Sequence, residues 1–213
     1  MLLPSLEDYY TQPRANTEIL VYPEEAREVR PGVWVGRVRM REQVFGYVKK
    51  RYVTEAVLEE VELEMPEVAF DTEAVWFHPP VEQLPPDQVP SGIHALEHAM
   101  IGLLPLFVLA ERRDVGGVSY PVYPHELPSG EGAVVFIYDG YPGGVGYARA
   151  GAEQFGRWMA ATYEQLSTCP CKNGCPRCIL SPKCGNGNQF LDKQAALALA
   201  HSLSHRYPAV AGI

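Results

Sequence analysis

All five cysteines of the chain fall in one stretch, Cys169-Pro-Cys171-Lys-Asn-Gly-Cys175-Pro-Arg-Cys178-Ile-Leu-Ser-Pro-Lys-Cys184. Sulfurs crowded in this way suit a metal cage, because four thiolates at about 2.3 Å close a tetrahedral shell around zinc if the chain turns sharply between them. The stretch supplies those turns. Cys175-Pro176-Arg177-Cys178 is a CxxC knuckle whose short gap lets both sulfurs face one point, and Gly174 just before it permits a positive φ. Three residues separate Cys171 from the knuckle and five separate the knuckle from Cys184. Cys169 and Cys171 flank a single proline, and either can serve as the ligand at that end; we favour Cys171. The competing chemistry is a disulfide cluster or a redox CxxC. The opening residues, Met1-Leu-Leu-Pro-Ser-Leu-Glu-Asp8, have neither the basic nor the apolar part of a secretory leader. The expected compartment is therefore the cytoplasm, where disulfides rarely persist. One structural zinc is the expected cofactor.

A second constellation is His94-Ala-Leu-Glu97-His98, an HxxEH pattern in which two histidines four apart on one helical face can hold a metal while the glutamate acts as base. Such a site needs a third protein ligand, and the sequence does not point to one. The alternative is a polar helix face that hydrogen-bonds to neighbouring loops. His94, Glu97 and His98 thus define a rival reading of the chain as a metal-dependent hydrolase. Asp139-Gly-Tyr-Pro-Gly-Gly-Val-Gly146 leads from a strand to a helix. It reads first as a tight turn that lets the helix pack on the strand; its free backbone N–H groups could instead cradle an anion, or Asp139 could cap the helix or pair with His94 or His98.

Charge is unevenly distributed along a chain whose net charge is −8. Residues 27–51 carry eight basic side chains against Glu28 and Glu42, whereas residues 52–97 hold eleven acids and no lysine or arginine. Arg37, Arg39, Arg41, Lys49, Lys50 and Arg51 are the candidate nucleic-acid contacts, interleaved with Tyr22, Trp34, Phe45, Tyr47 and Tyr52 as possible stacking surfaces. The overall acidity argues against a protein that wraps duplex DNA unaided. The two faces could equally neutralise each other, or form a protein-interaction module.

The elements that must position these groups read as α+β. Residues 1–17 form an extended arm, and 18–78 an antiparallel β-subdomain with strands near Glu18–Tyr22, Val33–Val38, Val44–Val53, Val57–Leu63 and Ala74–Phe77. Five prolines between 79 and 90 make a stiff linker. Residues 91–213 then form an α+β subdomain. Its first helix, capped by Ser91, is interrupted at Pro105; strands follow at Val115–Tyr123 and Ala133–Tyr138. The cysteine loop lies between a helix ending near Leu166 and a last helix, Lys193 to His205, capped by Asp192. No run of eighteen apolar residues is present, so no membrane-spanning helix is expected.

Together, Gly92-Ile-His-Ala-Leu-Glu-His-Ala99, Tyr138-Asp-Gly-Tyr-Pro-Gly-Gly-Val-Gly146 and CPCKNGCPRCILSPKCGNGN with Leu191-Asp-Lys resemble the C-terminal zinc-binding domain of the mitomycin repair factor A family of superfamily 2 DNA helicases. Asp8-Tyr-Tyr-Thr and Gly46-Tyr-Val-Lys49 resemble the segment that precedes it, so the likeness covers nearly the whole chain. The resemblance implies a structural zinc held by Cys171, Cys175, Cys178 and Cys184. It also implies a domain packed on an ATP-driven 3′-to-5′ helicase core that acts in DNA repair, with DNA reached through that partner. The chain shows no Walker lysine loop, no DExH box and no arginine-finger motif. The expectation is an accessory domain without catalytic residues of its own, either a fragment of a helicase or a free-standing partner to a motor.

Overall fold

The computed structural model describes residues 9–51, 54 and 56–209. Among these residues seven strands, β1 (Tyr9–Val21), β2 (Arg27–Arg30), β3 (Val33–Arg51), β4 (Val57–Glu62), β5 (Val68–Phe77), β6 (Val115–Tyr120) and β7 (Val134–Asp139), form one sheet. Its main order is β1-β3-β5-β7-β6, with β2 and β4 also paired to β3, and every pairing is antiparallel. The helices are α1 (Val89–Leu103), α2 (Tyr147–Glu153), α3 (Phe155–Thr168) and α4 (Lys193–Arg206). The expected α+β architecture, with the cysteine loop between two helices, is the one observed.

Side-chain alternation along β3 and β5 divides the core. Val33, Val35, Val75 and Phe77 join the helix residues Ile93, Leu96, Met100, Phe155, Trp158 and Leu199 in one apolar cluster. Neighbouring residues of opposite parity, Val38, Met40, Ala74 and Trp76, pack with Ile19, Phe136 and Tyr123 on the other face. Both faces of the central strands are therefore covered. That explains why β7, Val-Val-Phe-Ile-Tyr-Asp, is buried at every position and reads as a continuous apolar run.

Several local details differ from expectation for identifiable reasons. The segment read as an arm is, from Tyr9 onward, the first half of β1, which pairs with the distal half of β3 through a bulge at Arg14/Ala15. Residues 1–8 lie outside the described residues. The two strands expected within 33–53 are one long strand, because β1 on one side and β4 and β5 on the other supply hydrogen-bond partners along its length. Ser91 does not cap α1. The helix starts two residues earlier, with Pro90 in its first turn where a missing N–H costs nothing, and Ser91 Oγ donates to the Gln88 carbonyl instead. α1 does stop before Pro105, passing into a 3₁₀ turn. The proline-rich segment makes two further 3₁₀ turns. The sheet crosses this segment, with β5 before it paired to β7 after it.

Helix packing depends on small residues and a few directed hydrogen bonds. A Cβ at Gly92 would stand 2.8 Å from Ala195 Cβ, so glycine is what lets α1 and α4 approach each other. Trp158 Nε1 donates to the Met100 carbonyl at 2.9 Å and fixes α3 against α1. Asp192 caps α4, accepting from the N–H groups of Gln194 and Ala195, as its position in the sequence indicated.

Candidate metal centre

α3 ends at Thr168 and hands the chain directly to Cys169, which is its C-cap and lies buried. From there the loop folds back on itself. Cys169 Sγ is 3.5 Å from both Cys171 Sγ and Cys175 Sγ, Cys171 Sγ is 3.4 Å from Cys178 Sγ, and Cys175 Sγ is 3.7 Å from Cys178 Sγ. A tetrahedron of sulfurs at about 2.3 Å from a zinc ion has edges of about 3.8 Å, so the four sulfurs fit that ion with little adjustment. None of them is in a disulfide. The knuckle is built by the backbone: the Cys175 carbonyl accepts from the N–H groups of Cys178, Ile179 and Leu180, and the Cys175 N–H points at Cys178 Sγ. Gly174 takes φ +112°, and a Cβ there would strike Ile179 at 2.6 Å, so both conformation and space demand glycine.

Burial pushes the Cys178 thiol up to about 12. At Cys171 burial acts in the same direction, but hydrogen bonds from Cys178, Cys169 and Cys175 outweigh it and bring that thiol down to about 7. Without a cation the cluster favours one thiolate solvated by its neighbours; a zinc ion would let all four ionise. Lys193, buried at the start of α4, donates through Nζ to the carbonyls of Cys169 and Cys171, both at 2.7 Å. The cage is thus tied to both flanking helices.

The expected ligand set included Cys184 and left out Cys169, and the fold gathers a different four. Between Ile179 and Cys184 the chain turns away from the cage toward α1, where Cys184 Sγ stands 3.6 Å from His94 Nε2. His94, His98 and Cys184 form a second cluster of donors, all within 4.8 Å of one another. The two rings meet edge to face, with centroids 4.5 Å apart. His98 Nδ1 bonds the Ile179 carbonyl at 2.7 Å, and the Phe190 backbone bonds the His94 ring. Burial lowers both histidines, His98 to about 4, and so keeps them neutral near pH 7. Glu97 is buried beside them and burial raises it to about 8. These three residues are buried or half-buried on α1, and both histidine rings bond the backbone of neighbouring loops, at Ile179 and Phe190.

These groups open on a cavity of about 1160 Å³, bounded by α1, β6, the middle of β3 and the 181–186 loop. Arg112 lines it, with Nη2 donating to the Leu180 carbonyl while its buried Nε has no partner among the described residues. Spacing could not have paired Cys184 with the histidines, because ninety residues separate it from His94.

Asp139 is fully buried at the end of β7 and accepts from the N–H groups of Val145, Gly146, Tyr147 and Ala148. The concavity that could have cradled an anion is filled by the chain's own carboxylate. Asp139 is a helix cap, and it does not reach His94 or His98.

The candidate nucleic-acid residues divide into two groups. Arg37 and Arg39 both bond Asp71, and Arg41 lies near Glu18 and Glu67, so the proximal half of the basic strand faces acids. Lys49, Lys50 and Arg51 sit at the distal end of β3, with Lys49 Nζ 3.8 Å from the centroid of the Tyr9 ring. Of the aromatics, Trp34 stacks on Trp76 and Phe45 lies under Arg14, while Tyr52 falls outside the described residues.

The family model described as the MrfA Zn-binding domain matches residues 96–179, a span that contains Cys169, Cys171, Cys175 and Cys178 and stops before Cys184. Protein MJ1572.1 of Methanocaldococcus jannaschii is 40% identical over 111 residues, covering 98% of that protein and 52% of this chain. The chain belongs to the MrfA Zn-binding domain family. The ATP-dependent helicase YprA of Bacillus subtilis is 30% identical over 55% of this chain and 15% of its own length. The crystal structure of the DUF1998 helicase MrfA bound to DNA superposes with a TM-score of 0.60 at 23% identity, covering 92% of this chain and 26% of that one. The shared fold therefore extends beyond the matched zinc-binding segment into the N-terminal strands, while the chain spans only a small part of either helicase. The Cys169, Cys171, Cys175, Cys178 cluster, inside the matched zinc-binding segment, is consistent with one zinc ion. Among the described residues, no helix is long and apolar enough to cross a membrane.

Proposed function

We propose that this MrfA-type domain is a zinc-stabilised accessory module of an ATP-driven DNA-repair helicase, acting within a helicase chain or beside a separate motor, and that it contacts motor or DNA without performing the ATP chemistry. The observation that carries this reading is the position of the cage. It joins α3, α4 and the knuckle at one corner, and its four cysteines lie inside the matched zinc-binding segment. A zinc closed in by four thiolates has no open position for substrate, which suits a structural role.

Lys49, Lys50 and Arg51 are the nucleic-acid contacts in this reading. They sit at the distal end of β3, where Lys49 stands across from Glu59 of β4 and beside the Tyr9 ring, and a cation beside an aromatic ring suits a single strand threading past. The test is fluorescence anisotropy with a 3′-tailed duplex, alone and with a purified helicase motor, at salt from about 50 to 200 mM. Binding should weaken steeply with salt, and Lys49→Glu/Lys50→Glu/Arg51→Glu should lower both the affinity and the salt slope. Failure to bind either DNA or the motor at low salt would overturn the proposal.

A further inference from the structure

We propose that His94, His98 and Cys184 bind a second metal ion, separate from the caged zinc, with one coordination position open to the cavity and suited to a small oxyanion. The donors are already gathered. His94 Nε2 and Cys184 Sγ are 3.6 Å apart, and the three ligand atoms lie within 4.8 Å of one another, so one ion can reach all of them after small side-chain rotations. Two imidazoles and a thiolate suit zinc, which takes nitrogen at about 2.0 Å and sulfur at about 2.3 Å.

What surrounds the three residues is what metal ligands require. A ligating histidine commonly donates its other ring N–H to a carbonyl, which fixes the tautomer and aims the free nitrogen at the ion. His98 Nδ1 bonds the Ile179 carbonyl at 2.7 Å, and the His94 ring is bonded by the Phe190 backbone. Phe190 is held at φ +56°, a conformation strained for an aromatic residue, at the point where its backbone meets His94. Strain kept at such a contact points to a constrained site rather than to incidental packing.

Only three donors form this cluster among the described residues, whereas the cage has four. Closed structural zinc sites use four protein ligands, and sites that bind a further ligand use three. The fourth direction faces the cavity of about 1160 Å³. Arg112 lines the same cavity and brings to it the positive charge that an anion requires. Cys184 Sγ donates at present to Asn186 Oδ1 at 2.8 Å, a contact that ionisation of the thiol would release.

The experiment is metal analysis of the purified full chain after reconstitution with zinc and removal of loosely held ion. Two zinc ions per chain are expected, and one ion in the wild-type protein overturns the proposal with no variant needed. Cys184→Ser and, separately, His94→Gln should each retain one ion and the wild-type far-ultraviolet circular dichroism; two ions retained in either variant also overturns it. With cobalt in place of zinc, inorganic phosphate should alter the part of the visible spectrum that Cys184→Ser abolishes. A spectrum indifferent to phosphate would contradict the open position.

Discussion

Lys193 Nζ reaches across from α4 to the carbonyl of Cys169, 2.7 Å away, and so joins the last helix to the first ligand of the zinc cage. The same nitrogen takes the Cys171 carbonyl. Lys193→Met should remove both bonds, leave one buried and one partly buried carbonyl unpaired and lower stability by about 2 to 4 kcal/mol. Chemical denaturation followed by circular dichroism checks this, and a midpoint unchanged from wild type would mean that the helix holds the loop by packing alone.

Loss of a knuckle cysteine should be more severe. Structural zinc contributes folding free energy outright, on the order of 10 kcal/mol, to a segment too rich in glycine and proline to order itself. Cys175→Ser should therefore lose the caged zinc and expose the C-terminal third to limited proteolysis. A variant that melts and resists protease like wild type would show that the cage is not structural.

Asp139 offers a test remote from the metal. Its carboxylate accepts four backbone N–H groups at the start of α2, and no water can replace it at a fully buried position. Asp139→Ala should cost about 3 kcal/mol, visible as a lowered thermal midpoint, while Asp139→Asn should keep part of the cap and cost less. Equal midpoints for both variants would remove the capping role.

Much of this architecture was legible in the sequence because it follows from short-range rules. Pro105 stops α1, Asp192 starts α4, the apolar run of β7 signals burial on both faces, and the cysteine cluster announces a metal. What was not legible depends on direction and distance. Spacing leaves Cys169 and Cys171 as alternatives at one end and takes Cys184 as the ligand at the other; in the fold α3 delivers Cys169 inward as its C-cap beside Cys171, and the turn after Ile179 carries Cys184 away. β3 read as two strands because its middle is charged. The charges at Arg37 and Arg39 are accommodated by Asp71 on neighbouring β5, a pairing that exists only in the folded sheet.

The ligand set itself is open to direct measurement. Zinc-edge X-ray absorption on the Cys184→Ser protein reports the atoms around the caged ion with the second cluster disabled. We expect four sulfurs at about 2.3 Å, which is the shell of Cys169, Cys171, Cys175 and Cys178. Three sulfurs and a lighter atom would mean that Cys184 belongs to the cage, and would contradict the assignment of Cys169 and the separation of the two clusters.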